Sequence, residues 1–217
     1  MTTWNPRVVV SASEALAEEP DRAGSAVDRA RVEAAVRELI AAIGDDPARP
    51  GVVETPRRVA EAYADLFAGM SIDPVSVLEP LPDERGSGLI LVRDISFASI
   101  CEHHLLPFLG TAAVGYVPGV GGTITGITKL ARVVEVLARR PQVQERLVRE
   151  IADAMEAALS PAGVAVVIEA EHLCMTMRGV RKPGSKVVTT EFRGAFADDP
   201  SARSEILALV GDQRRIP

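Results

Sequence analysis

At "PLPDERGSG", residues 80–88, the spacing of the apolar residues changes from a helical period to an alternating one, and this switch limits the possible folds more than any other feature. Upstream, Val32, Val36, Leu39 and Ile40 recur at helical spacing until "GDDPARPG" stops them. "ETPRRVAEAYADLFAG" then reads as a second helix, with Thr55 as N-cap, Pro56 at the first helical position and Gly69 past the end. Downstream, "LILVRDISFASI" alternates and is rich in β-branched residues, and "GTAAVGYVPG" ends at a turn. A chain that changes period in this way must join a helical region to a sheet.

The rest of the sequence extends that sheet. "TKLARVVEVLARR" sets Leu130, Val133, Val134 and Leu137 on one helical face, and after Pro141 a second helix carries Val143, Leu147, Ile151 and Met155. "GVAVVIEAEHLCMTM" is a strand candidate, "GVRKPGSK" a basic turn, "VVTTEFRGAF" another strand and "SARSEILALV" a short final helix. Hairpin-length connections between strands make the sheet antiparallel and the class α+β. Three segments are expected: a disordered extension over residues 1–25 that carries no chemistry, a helical region over 26–85 and a catalytic domain over 86–217.

Composition narrows the function. At 217 residues and a net charge of −6 the chain is long enough to bury its own core, and its acidity argues against general nucleic-acid binding. No apolar run reaches the roughly 20 residues of a membrane span, and the N-terminus lacks the pattern of a secretory signal. The expectation is a soluble cytoplasmic protein without a membrane partner. In a reducing compartment a disulfide between Cys101 and Cys174 is disfavoured, which leaves metal ligation, nucleophilic chemistry or plain packing for the thiols.

All three histidines and both cysteines fall in two windows, "CEHH" at Cys101–His104 and "EHLCM" at Glu171–Met175. Cys101 and His104 form a C-x-x-H pair, and Cys174 offers a third soft ligand. Zinc held by three protein ligands keeps a position open, as catalytic rather than structural sites do. If residues 164–178 stay extended, alternation sends His172, Cys174, Thr176 and Arg178 to one face. His172 then stands either as a proton donor or as a fourth ligand, and His103 is open in the same way. Thr128 and Lys129 open a helix with Arg132 one turn on, so free N–H groups, the helix dipole and two cations can meet an anion such as phosphate. Glu145, in the first turn of the next helix, has an ordinary explanation as a dipole-complementing charge.

"SICEHHLLPF", "GITKLARVVEVLARRPQVQERL" and "GVAVVIEAEHLCMTMRGVRKPGSKVVTTEFRG" closely resemble the GTP cyclohydrolase I family, from about Ala26 to the C-terminus. The resemblance implies the tunnelling fold, in which antiparallel sheets with helices on one side close into a barrel between subunits, and a homodecamer with sites between its subunits. It implies GTP and water as substrates, opening of the guanine imidazole ring at C8, loss of formate and formation of 7,8-dihydroneopterin triphosphate, the entry to folates and pterins. By the same resemblance Cys101, His104 and Cys174 are ligands of zinc, and His103 and His172 are catalytic. Thr128, Lys129, Arg132, Gln144, Glu145 and Arg178 are substrate-binding, Glu145 reading guanine and the cations holding the triphosphate. One departure stands out: Thr128 occupies the family's usual serine position, keeping the hydroxyl but adding a methyl that stiffens χ1.

Overall fold

The computed structural model describes residues 8–11, 26–83, 86, 88–120 and 122–211. The expectation of disorder over 1–25 falls mostly outside these residues. Within that span, strand β1 (Val8–Ser11) runs parallel to Ile90–Arg93.

Helices α1 (Arg29–Ala42) and α2 (Thr55–Leu66) lie against each other. Asp28 caps α1 by accepting from Arg31 N. The cap of α2 differs from expectation: Glu54 is the N-cap, without a side-chain bond, and Thr55 is already helical. The reason is local, because the backbone turns before the helix starts and Thr55 N is spent on Val52 O at 2.8 Å. Gly69 does lie past the end of α2, in a 3-10 turn over Ala68–Ser71, where it has a packing role. A Cβ there would lie 1.9 Å from Val136 O. Only a glycine allows this turn to approach the following helix so closely. A second 3-10 turn, Ser76–Leu78, buries Leu78 completely in the main core.

The main sheet runs β1, β3 (Ile90–Cys101), β4 (Pro107–Val117), β7 (Gly163–His172), β8 (Lys186–Gly194), antiparallel from β3 onwards. The short strands β2 (Leu81–Pro82) and β5 (Thr123–Ile124) pair separately, and β6 (Pro141–Gln142) runs parallel to the end of β3. Helices α3 (Ile127–Ala138) and α4 (Gln144–Leu159) bury their apolar faces on one side of the sheet. Leu130, Val133, Leu137, Leu147, Ile151 and Met155 are all fully buried there, each contributing about 1.5–3 kcal/mol of transfer free energy. The expectation of helices on one side needs correction. Helices α6 (Ala195–Asp198) and α7 (Pro200–Gly211) pack at one end of the opposite face, where Phe196 and Ile206 close a smaller core with Leu89, Leu91, Ala113, Ala165 and Val167.

A β-bulge decides what β3 delivers to the site. Val92 pairs with Val114 but Ile95 pairs with Ala112, so β3 carries one extra residue, and Asp94 takes a φ of 58°. Before the bulge the helix-side core takes Ile90 and Val92; after it, Ile95, Phe97 and Cys101. The flip in parity therefore turns Cys101 toward the helices instead of the opposite face. Ser99 confirms the register by donating to Ala138 O at 2.6 Å from the same side.

Candidate metal and substrate site

The turn between β3 and β4 is "EHHLL". It closes through Leu105 N to Cys101 O at 2.9 Å and Cys101 N to Leu106 O at 2.9 Å, and places Leu105 at a φ of 51°, a left-handed conformation that costs a non-glycine residue about 1–2 kcal/mol. Glu102 ties the turn to the helical layer. Its N–H donates to Gln142 O at 3.0 Å and its carboxylate accepts from Arg146, which also holds Pro141 O and Gln142 Oε1. Cys101 is thus buried on a braced hairpin, with His104 beside it: Cys101 Sγ lies 3.9 Å from His104 Nδ1.

Cys174 arrives by a route different from the one expected. The strand does not continue to residue 178; β7 ends at His172 and the chain makes one helical turn, α5 (Leu173–Thr176). Thr176 supports that turn by donating its hydroxyl to both His172 O and Glu171 Oε1, and Glu171 Oε1 also accepts from Gly184 N, folding the basic turn back. The donor atoms of Cys101, His104 and Cys174 end up within 4.8 Å of one another, the one His/Cys/Asp/Glu cluster of this kind among the described residues. Two thiols and an imidazole at this spacing suit zinc or a related soft divalent ion. Burial pushes the Cys174 thiol up, and the neighbouring Cys101 adds to the shift. A thiol that resists ionising beside a second sulfur is what a cation would stabilise as a thiolate.

His172 faces the same region from the end of β7. Its ring stacks on its cross-strand partner Phe108, with centroids 4.6 Å apart and planes 1° from parallel. Nε2 lies 2.7 Å from Gln144 Oε1. Burial holds His172 below the ordinary imidazole range, opposed by the negative charge of Glu145, which places that exposed carboxylate within electrostatic reach. Gln144 itself does not face solvent: it is 1% exposed, and its amide is used inside the protein. Arg178 reaches the cluster, with Nη1 3.0 Å from His104 Nε2. His103 stands apart, its side chain 65% exposed and Nε2 3.8 Å from Glu102 Oε1.

The candidate phosphate cations lie elsewhere on the chain. Thr128, Lys129 and Arg132 are on the first turns of α3, with Lys129 paired to Glu79 at 2.6 Å and Arg132 to Glu135 at 2.7 Å. Ala138, at the other end of α3, meets Ser99 on the cysteine strand, whereas the backbone N–H of Thr125, just before α3, donates to the hydroxyl of Tyr116 on β4, opposite Ile90 at the start of β3. Thr128 and Lys129 therefore sit at the end of α3 away from Ser99 and the cysteine strand, and Arg132 lies about midway along the helix. Glu171 was not anticipated from the sequence. It sits at an ordinary charged position on a strand, and only the fold of the basic turn reveals its part.

Residues 32–211 match the GTP cyclohydrolase I family. The chain is 56% identical over 183 residues to GTP cyclohydrolase 1 of Mycolicibacterium vanbaalenii, covering 84% of this chain and 91% of that protein. It is 53% identical over 188 residues to GTP cyclohydrolase 1 of Caldanaerobacter subterraneus subsp. tengcongensis, covering 87% and 100%. Against GTP cyclohydrolase 1 of Thermobifida fusca it is 54% identical over 192 residues, covering 88% and 93%. These matches span both cysteine windows and every element between them, and they agree with the expectation drawn from the motifs: the chain belongs to the GTP cyclohydrolase I family.

Proposed function

We propose that this protein is a GTP cyclohydrolase I: it opens the imidazole ring of GTP at C8 with water, releases formate and yields 7,8-dihydroneopterin triphosphate. The observation that carries this reading is the convergence of Cys101, His104 and Cys174, from opposite ends of the chain's central segment, within 4.8 Å in a member of that family. These residues would hold zinc, which when bound supplies the Lewis acidity that activates water at neutral pH. The protein's own groups do the rest. Glu145, exposed at the start of α4, accepts from the N1–H and exocyclic amine of guanine. His172, neutral near pH 7 because burial disfavours its charge, takes up and returns a proton at the reacting base. Arg178 lies beside the cluster to meet the phosphates, and His103, on the exposed turn, is a second proton carrier.

Lys129 and Arg132 complete the triphosphate site, with the Thr128 hydroxyl beside them at the free N–H groups that open α3. Because Thr128 and Lys129 open α3 at the end away from the cysteine strand, we infer that these groups serve the cluster of a neighbouring copy. The working form is then a homo-oligomer, a decamer by resemblance, acting in the cytoplasm. Incubation of the purified protein with GTP tests this function. Formate and a fluorescent pterin, after oxidation and dephosphorylation, are the expected products, and GTP recovered intact from zinc-replete protein would contradict it.

A further inference from the structure

Gln144 is substrate-binding by the family resemblance, yet its side chain is buried among protein partners and its orientation is fixed by what surrounds it. Its Nε2 lies 3.1 Å from Ile168 O, 3.0 Å from Val187 O and 3.1 Å from Thr189 Oγ1. Backbone carbonyls only accept, so the NH2 end of the amide must face them and cannot be exchanged with the oxygen. Oε1 is therefore the atom that meets His172 Nε2 at 2.7 Å, and an amide oxygen also only accepts. It follows that His172 carries its hydrogen on Nε2. The Phe108 ring, stacked at 1°, prevents the imidazole from tilting out of this arrangement.

We propose that Gln144 is a positioning residue that locks His172 in its Nε2–H tautomer, so that every proton His172 exchanges with substrate passes through Nδ1. This rests on the reading of His172 as the proton carrier of the cyclohydrolase. Two strands hold the lock, since Ile168 lies on β7 and Val187 on β8, and α4 supplies the glutamine.

The direct test is solid-state nitrogen NMR of the holoenzyme labelled with 15N-histidine, at about pH 8, above the ordinary imidazole range. With only three histidines in the chain, the signals lost in His172→Ala identify its ring. The expected result is a protonated Nε2 and an unprotonated Nδ1; a ring protonated on Nδ1 in an active enzyme would overturn the lock. Gln144→Met, which keeps the volume and removes the acceptor, should mix the two tautomers and lower kcat on the order of tenfold or more with little change in KM. In a His172→Ala background the same substitution should cost no further rate. An equal loss in both backgrounds would mean that Gln144 only supports the fold. An Nε2–H tautomer in a protein that leaves GTP intact would overturn the function and with it the catalytic half of the proposal, while the lock would stand on the spectrum.

Discussion

Arg178 donates from Nη1 to His104 Nε2 at 3.0 Å while Cys101 Sγ lies 3.9 Å from Nδ1 of the same ring. Accepting from the guanidinium requires a lone pair on Nε2 and hence a hydrogen on Nδ1, whereas ligation through Nδ1 requires the opposite tautomer. A metal held through Nδ1 and the Arg178–His104 hydrogen bond therefore exclude each other, and loading the site frees Arg178 for another acceptor. Arg178→Ala should bind zinc at least as tightly as the parent, measured by competition with a chelator, while KM for GTP rises by about tenfold or more from the lost charge-assisted bond. Loss of zinc from this variant would show that the arginine supports the ligand set.

Cys174→Ser removes a soft anionic ligand from a cluster of three. Zinc per subunit and turnover should fall together, because a neutral hydroxyl is a poor substitute for thiolate. Stoichiometric zinc with full turnover in this variant would remove Cys174 from the site.

Glu145→Gln separates recognition from stability. The carboxylate is exposed in the first turn of α4, so its favourable interaction with the helix dipole is worth only about 0.3–1 kcal/mol. Facing guanine donors, replacing an acceptor by an NH2 group costs about 1–3 kcal/mol or more. The expected outcome is a drop in kcat/KM of tenfold or more with a melting temperature within a few degrees of the parent. Unchanged kinetics would leave Glu145 as a helix-end charge.

Acidification should loosen the basic turn. Glu171 lies below the ordinary carboxylate range, chiefly because Gly184 N–H and then the Thr176 hydroxyl bond its charged form. A depressed carboxylate contributes its full stabilisation above the unfolded-state value and loses it as pH falls through the lower folded value. Amide exchange at Gly184, corrected for its intrinsic pH dependence, should stay protected at neutral pH and accelerate below the ordinary carboxylate range. In Glu171→Gln that pH dependence should vanish. Protection that persists unchanged in acid would mean that another contact holds the turn.

Elements with a local signal are readable from the sequence: the β3–β4 hairpin, the apolar faces of α3 and α4, and the closeness of Cys101 and His104. What could not be read depends on contacts distant in sequence. The bulge at Asp94 leaves the composition of β3 unchanged yet decides which face Cys101 takes. The extended reading of residues 164–178 followed strand alternation, but the hydroxyl of Thr176 and the carboxylate of Glu171 favour a helical turn after His172. Gln144 is substrate-binding by the family resemblance, and nothing in its sequence neighbourhood signals that its side chain is buried. Its burial arises because β7 and β8 present two carbonyls to that helix end, which no periodicity reports.

The most direct test of the account is zinc per subunit and formate release, measured on the same sample of His172→Ala. Nε2 of this histidine is committed to Gln144, and the ring is outside the cluster formed by Cys101, His104 and Cys174. The account predicts zinc and oligomeric state like the parent's, with formate release lowered on the order of a hundredfold or more, the scale of losing a general acid–base. Loss of zinc together with the fold would make His172 a fourth ligand of a structural site, and full zinc with full activity would remove it from the chemistry. Either result would contradict a three-ligand catalytic centre served by His172.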